Sequence, residues 1–203
     1  MPVSVGNRVQ SMIDHMEKNE LELALSDICI AIDITSQKYY NESTSSASCY
    51  KRFLKEHMWM INVTGMNSII AETIKLPFKH ENIKSDKDGY CTLEQIIYHV
   101  MRCGLIHGTG EGNKIIWNRN VPLGIDRNQN LILSPAFIWG LALCVIACPI
   151  NNHEQVGDLC WISTASFKYL INDLWGKRDS VEKMIRSHYG ICPFKAQCDS
   201  VQV

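Results

Sequence analysis

The chain of 203 residues, ordinary in its apolar and charged content, is long enough for one domain that buries a sizeable core. Its 20 lysines and arginines nearly cancel its 21 aspartates and glutamates, which excludes binding of nucleic acid through an overall basic excess. Its 9 cysteines are odd in number and no cleavable apolar leader follows Met1, so the composition indicates a reducing cytoplasm rather than a disulfide framework.

Hydrophobic periodicity predicts that the first half of the chain is helical. The second predicted helix is apolar around most of its circumference and is therefore expected to be internal. The helices predicted here are 5–18, 20–39 and 49–63, with a short one at 67–74, and the polar break 41–48 and the charged surface loop 79–89 lie between and after them.

A capping box formed by Thr92 and Gln95 marks the beginning of a helix predicted over 93–103, and Gly104 is expected to end it. After a glycine-rich turn, three short apolar runs surround the polar sequence DRNQN, which predicts a small β-hairpin insertion. The three runs are 115–117, 123–125 and 131–133.

The uncharged segment 131–150 is long enough to raise the possibility of a membrane span. Ser134 and Pro135 have the pattern of a helix start, and Pro149 ends the helix, which leaves 136–148. Such a helix is about 20 Å long, whereas a bilayer core needs roughly 30 Å. The segment is therefore predicted to be a buried central helix, with no membrane contact.

Two further helices are predicted near 165–175 and 180–189, with Gly176 and Gly190 as stops. The sequence therefore indicates a mainly α single domain over 1–190, followed by a flexible tail over 191–203. Cys144 and Cys148, four residues apart in the apolar helix, are expected to be buried, inert thiols rather than zinc ligands. No metal or other cofactor is expected.

The segment that carries chemistry contains Arg102 and His107, separated by four residues at the end of the helix 93–103. RNA supplies its own nucleophile, the 2′-hydroxyl, so its cleavage needs only proton transfer and charge neutralisation. The imidazole of His107 can move a proton near neutral pH, and the planar guanidinium of Arg102 can hold a phosphate. Because one histidine cannot easily be base and acid at once, a symmetric dimer would complete the site.

Helical-wheel geometry predicts different environments for these two side chains. With roughly 100° per residue, Arg102 lies about 180° from Leu93, opposite the apolar stripe, and so faces solvent or a groove. An unbroken helix would place His107 in the core and push Leu105 and Ile106 outward. The helix is therefore expected to break or change register at Gly104, unless another chain covers those two residues.

Two carboxylates and one histidine are further candidates for this site. Asp27 and Asp33 lie in the internal second helix, where each needs a partner. Each carboxylate either forms an ion pair with Lys51 or Arg52 or lines the cleft, and the sequence leaves both alternatives open. His99, one turn before Arg102, either lines the same groove or is a solvated helix residue.

Basic residues in the hairpin region are weaker candidates for contacts with the RNA backbone. They are Lys114, Arg119 and Arg127. The alternative is that these side chains are ordinary surface charges with no specific contact. His153 has no partner that the sequence identifies.

Four blocks of the sequence resemble the HEPN superfamily, whose signature is an arginine followed several residues later by a histidine. Arg102 and His107 match this signature. The other blocks, which resemble a prokaryotic subgroup of the RNase toxin or defence type, are 27–35 (DICIAIDIT), 50–54 (YKRFL) and 133–136 (LSPA) with the apolar helix that follows.

The resemblance implies an antiparallel helical bundle, a homodimer that brings both motifs into one cleft, and metal-independent RNA cleavage that leaves a cyclic phosphate. It also implies a role as a toxin or in defence, with an antitoxin or regulator protein as a possible partner. One departure concerns Cys103, because the position after the arginine is often polar in active members.

Three hypotheses follow for the function. The first is a metal-independent endoribonuclease in which Arg102 and His107 act, with Asp33, His99, Cys103 and Lys114 as candidate substrate contacts. The second is a non-catalytic module that binds nucleotide, RNA or a partner protein through the same surface. The third is a structural helical protein in which the spacing of Arg102 and His107 is accidental.

Overall fold

A computed structural model describes residues 4–66, 68, 72–104, 115–163, 168–187 and 195–198. Helices predominate among these residues, so the prediction of a mainly α protein is confirmed. The helices are α1 (Val5–Glu17), α2 (Leu21–Tyr39), α3 (Ala47–Glu56), α4 (Met58–Met66), α5 (Leu93–Ile96, continuing as a π-helix over Ile97–Cys103), α6 (Ala136–Ile146) and α7 (Arg178–Ser187).

The first two predicted helices are confirmed, but the third, predicted over 49–63, is two helices that meet at His57. Ring nitrogen Nδ1 of the buried His57 lies 2.8 Å from the carbonyl oxygen of Phe53, the acceptor that the backbone N–H of a continuing helix would use. The backbone N–H of His57 instead donates to the carbonyl of Leu54. The side chain therefore competes with the backbone for one acceptor, and the chain turns there.

The centre of the core is α6, which packs against α4 and α2. Every residue from Phe137 to Ile146 is buried, so the predicted buried central helix is confirmed. The hydroxyl oxygen of Ser134 accepts from the backbone N–H of Ala136, as expected for a residue that begins a helix. No helix in the described part of the chain is long and apolar enough to cross a bilayer.

Two glycines allow α4 and α6 to approach closely. A Cβ atom added at Gly65 would lie 2.9 Å from the Cα atom of Phe137, and one added at Gly140 would lie 3.0 Å from the carbonyl oxygen of Ile61. Both neighbours are backbone atoms, which cannot move aside as the end of a side chain can. The contact between the two helices therefore requires hydrogen at both positions.

We expect Gly65→Ala to destabilise the protein by about 1–3 kcal/mol, because the methyl group must push α4 away from α6. Chemical denaturation measures this free energy of unfolding. Gly104→Ala is the matched control: it also lies in a helix, and among the described residues its added Cβ would meet nothing closer than 3.9 Å. Equal stability of both variants would contradict the close contact.

Three small sheets accompany the helices. The strands are β1 (Lys75–Leu76), β2 (Cys91–Thr92), β3 (Ile115–Trp117), β4 (Leu123–Ile125), β5 (Leu131–Leu133), β6 (Cys160–Ser163), β7 (Lys168–Leu170) and β8 (Lys195–Cys198). The predicted hairpin is confirmed as the antiparallel pair β4 and β5, and β3 adds to it in parallel along the other side of β5. β1 pairs with β2, and β6 lies between β7 and β8, antiparallel to both.

Several boundaries predicted for other segments are wrong. The helix expected at 165–175 is instead strand β7 followed by a 3-10 turn at Ile171–Asp173, because pairing with β6 overrides a weak helical periodicity. Residues 72–74 of the short helix expected at 67–74 are not helical and lead into β1. Within the expected loose tail, Lys195–Cys198 pairs with β6. Residues 164–167, 188–194 and 199–203 lie outside the described residues.

Candidate functional site

The helix that was predicted over 93–103 changes its hydrogen-bonding pattern part-way along. The capping box is present, with the backbone N–H of Thr92 donating to Oε1 of Gln95 at 2.9 Å. The α-helical pattern ends at Ile96, and a π-helix follows over Ile97–Cys103. Because such wide turns are rare and occur often at functional sites, this segment is a candidate functional site.

Gly104, where the helix was predicted to break or change register, has helical torsion angles (φ −63°, ψ −45°), and residues 105–114, which would show whether it ends there, lie outside the described residues. A change of register lies earlier, where the π-helix begins. A wheel drawn at α-helical spacing therefore assigns the wrong direction to side chains beyond Ile97. His107 and Lys114 lie outside the described residues.

Arg102, expected to face solvent or a groove, forms an ion pair with α2. Its Nη2 lies 3.1 Å from Oδ2 of Asp33, and the two side chains are 20% and 18% exposed. The hydroxyl of Ser45, in the polar loop after α2, donates to the other carboxylate oxygen of Asp33. Burial disfavours the charge of Arg102, but the Asp33 carboxylate outweighs burial and raises the pKa of the guanidinium.

The ring of Tyr98 is the common neighbour of several cationic and titratable groups. Cζ of Arg102 lies 5.7 Å from its centroid, and Nζ of Lys51, on α3, lies 5.6 Å from it. The ring of His99 meets it edge-on at 5.0 Å. We define the Tyr98 patch as Lys51, His80, Tyr98, His99 and Arg102.

Two histidines belong to this patch. The rings of His80 and His99 are tilted by 41° with their centroids 6.1 Å apart, and both side chains are half-buried. Burial lowers the pKa of His99, and the nearby charges of Lys51 and His80 lower it further. The imidazole of His99 is therefore held in its neutral, proton-accepting form at neutral pH.

The thiol next to Arg102 is in contact with the same groups. Sγ of Cys103 lies 4.0 Å from Nη1 of Arg102, and Cys103 is half-buried. Burial raises the pKa of the Tyr98 hydroxyl, and Cys103 raises it further. Cys103 therefore lines the patch beside the guanidinium.

The other carboxylate singled out in α2, Asp27, lies elsewhere. Its Oδ1 is 2.7 Å from Nη1 of Arg8 and its Oδ2 accepts from Ser11 at 2.6 Å, both on α1. The suggested pairing of either carboxylate with Lys51 or Arg52 is wrong. Asp27 fastens α1 to α2, whereas Asp33 reaches the candidate site.

The remaining candidates show no link to this patch. Arg119 and Arg127 are exposed in and beside the small sheet, and the exposed His153 has Nε2 3.7 Å from the Glu154 carboxylate. Cys144 and Cys148 are buried as predicted, and burial raises the pKa of Cys148 to about 11. Among the described residues, no three or more His, Cys, Asp or Glu side chains are grouped so as to hold a metal ion.

Three members of the patch, Lys51, His80 and Tyr98, were not among the predicted site residues. Lys51 comes from α3 and His80 from the charged loop, so nothing in the sequence near Arg102 indicates either. Tyr98 stands four residues before Arg102, where only its aromatic character in a polar position could have singled it out.

A family model matches this chain over residues 4–200. The chain belongs to the Rv1289 family. The chain is 20% identical to the uncharacterized protein Rv1289 of Mycobacterium tuberculosis and to the uncharacterized protein Mb1320 of Mycobacterium bovis. Each alignment covers 91% of this chain and 89% of the mycobacterial protein. No solved structure matches the chain.

This result corrects the resemblance to the HEPN superfamily. The Rv1289 family model covers all the blocks on which that resemblance was based, so the assignment to the HEPN superfamily is wrong. The helical bundle implied by the resemblance, and the roles in toxicity and defence, have no other basis. The basis for a function of this protein is therefore the chemistry of its own residues.

Proposed function

We propose that this protein binds single-stranded RNA at the Tyr98 patch and cleaves it by attack of the 2′-hydroxyl. The observation that carries the proposal is the position of two cations, Arg102 and Lys51, within 6 Å of one aromatic ring, with His99 beside that ring and His80 beside His99. Cations that hold the backbone next to an aromatic side chain are the elements of single-strand binding. In a chain with a net charge of −1, this cluster is a local positive site.

The chemistry that these groups provide is charge neutralisation and proton transfer. Arg102 carries a permanent charge and a planar fork suited to two oxygens of one phosphate. The charge that develops on phosphate oxygens during attack of the 2′-oxygen is stabilised by such a fork. His107, five residues after Arg102, is the sequence-based candidate for proton transfer, and a second copy of the chain would supply a second imidazole.

The ion pair with Asp33 favours a second candidate function. A phosphate that binds Arg102 must share or replace the Asp33 carboxylate, which already contacts the guanidinium at 3.1 Å. If this ion pair persists in the complex, the patch holds RNA without bringing its phosphate into line for cleavage. The protein would then be a non-catalytic module that binds RNA or nucleotide.

We expect the purified protein to cut a single-stranded RNA oligonucleotide in the presence of a chelator, leaving a 2′,3′-cyclic phosphate. The nucleophile belongs to the RNA, so the 2′-deoxy oligonucleotide of the same sequence should bind but remain intact. Gel analysis and mass spectrometry of the products measure both results. RNA that binds and stays intact would favour the non-catalytic module, and absence of binding would refute both functions.

Salt dependence isolates the electrostatic part of binding. Lys51→Ala should weaken RNA binding and reduce the slope of log affinity against log salt by roughly 0.7, the share of one phosphate contact on a single strand. Lys183→Ala, an exposed lysine on α7, is the matched control and should leave the slope unchanged. An unchanged slope in both variants would place the RNA elsewhere.

A further inference from the structure

The two histidines of the Tyr98 patch have no part in the phosphate binding assigned to Arg102. His99 lies on the π-helix three residues before Arg102, and both side chains contact the ring of Tyr98, at 5.0 Å and 5.7 Å from its centroid. His80 reaches the same place from the charged loop, with its ring 6.1 Å from that of His99. The side chains of Arg102, Tyr98, His99 and His80 therefore form a continuous row of neighbours along which a bound RNA backbone would lie.

The surroundings of the two imidazoles differ. His99 is next to Lys51 of α3 and to Tyr98 of its own helix, and burial together with Lys51 and His80 lowers its pKa. His80 stacks on Phe78, with the centroids 6.4 Å apart and the planes 16° from parallel. A neutral imidazole beside cations suits the role of a general base, and the imidazole next to it is then placed to donate a proton.

We propose that His99 and His80 are the general base and general acid of the RNA cleavage site. This inference rests on the proposed function and deepens it, because it places both proton-transfer groups in one chain. A second copy of the protein is then unnecessary for the chemistry.

The step balances without any co-reactant. The imidazole of His99 takes the proton of the 2′-hydroxyl, and the 2′-oxygen forms a bond to phosphorus. The bond from phosphorus to the 5′-oxygen breaks, and that oxygen receives its proton from the imidazolium of His80. The products are a 2′,3′-cyclic phosphate and a free 5′-hydroxyl, and the two imidazoles exchange protons with water to begin again.

The test is the pH dependence of kcat in His99→Gln and His80→Gln. Activity should rise with pH as His99 loses its proton, and a general acid gives the profile a falling limb as well, so the unchanged protein has a bell-shaped profile. His99→Gln should lose the rising limb and His80→Gln the falling limb, each with kcat reduced about 10²–10⁴-fold and little change in KM. His153→Gln, an exposed histidine, should leave the profile unchanged.

Two further measurements distinguish the loss of a proton-transfer group from the loss of the folded structure. Thermal unfolding shows whether each variant is folded, and added imidazole should partly restore activity to His99→Ala by occupying the space of the missing ring. Variants that keep both limbs of the profile, in a protein that cleaves RNA, would overturn this inference and leave the proposed function standing. A protein that does not cleave RNA would overturn both.

Discussion

Arg102→Ala should reduce kcat for RNA cleavage by about 10²–10³-fold, because it removes the group that stabilises charge on the phosphate. RNA binding should weaken as well, since one fixed cation of the Tyr98 patch is lost. Arg102→Lys keeps the charge but not the planar fork, so it should recover binding better than cleavage. Single-turnover cleavage and filter binding measure the two effects separately.

The partner of Arg102 provides the matched control. Asp33→Asn removes the charge that competes with phosphate for the guanidinium, so it should strengthen RNA binding while leaving Arg102 in place. If Arg102 serves only to join α2 to the π-helix, both variants should instead lower stability alike, with no effect on RNA. That pattern would leave the Arg102 guanidinium without a role in function.

Phe53→Ala should destabilise the protein by about 3–5 kcal/mol, the usual loss for a buried phenylalanine that leaves a cavity. Phe53 is fully buried, its ring stacks on His57 with the centroids 4.3 Å apart, and it meets Tyr39 edge-on at 6.0 Å. The variant removes the packing that holds the turn between α3 and α4. Urea denaturation followed by circular dichroism measures the loss.

The control for this variant is an apolar side chain that is not in the core. Leu23 on α2 is 52% exposed, so Leu23→Ala should change the free energy of unfolding by no more than about 0.5 kcal/mol. A small effect of Phe53→Ala would show that the core closes around the smaller side chain, and that the turn between α3 and α4 at His57 does not depend on the phenylalanine ring.

The sequence was most informative where one pattern continued over many residues. α1, α2, α6 and α7 have long periodic or capped sequences, and all four lie close to their predicted bounds. The strands of the third sheet have only three or four residues, and β6 pairs with β8 across a large sequence separation, as Cys160 does with Cys198. Such short alternations carry too little signal to predict from the local sequence.

The candidate site was predicted only in part, for a similar reason. Arg102 stood out because of its spacing from His107 and its place opposite the apolar stripe of its helix, and the chemistry of its side chain was clear from its type. Its ion pair with Asp33, a residue named only as a weaker candidate, depends on the direction that a π-helix gives to its side chains. Periodicity reports which residues are apolar and does not report the change from α to π hydrogen bonding.

The wide turn at Ile97–Cys103 sets the direction of the side chains that follow it, because it absorbs one residue more than an α-helical turn. A return to ordinary α spacing with no residue removed would rotate everything beyond this turn by about 100° around the helix axis. The guanidinium would swing away from α2, and the tyrosine ring would lose one of its cations while the hydrophobic packing of the preceding turn survived. In the Rv1289 family, members in which this helix has ordinary α spacing at the same length would therefore keep the fold and lack the surface.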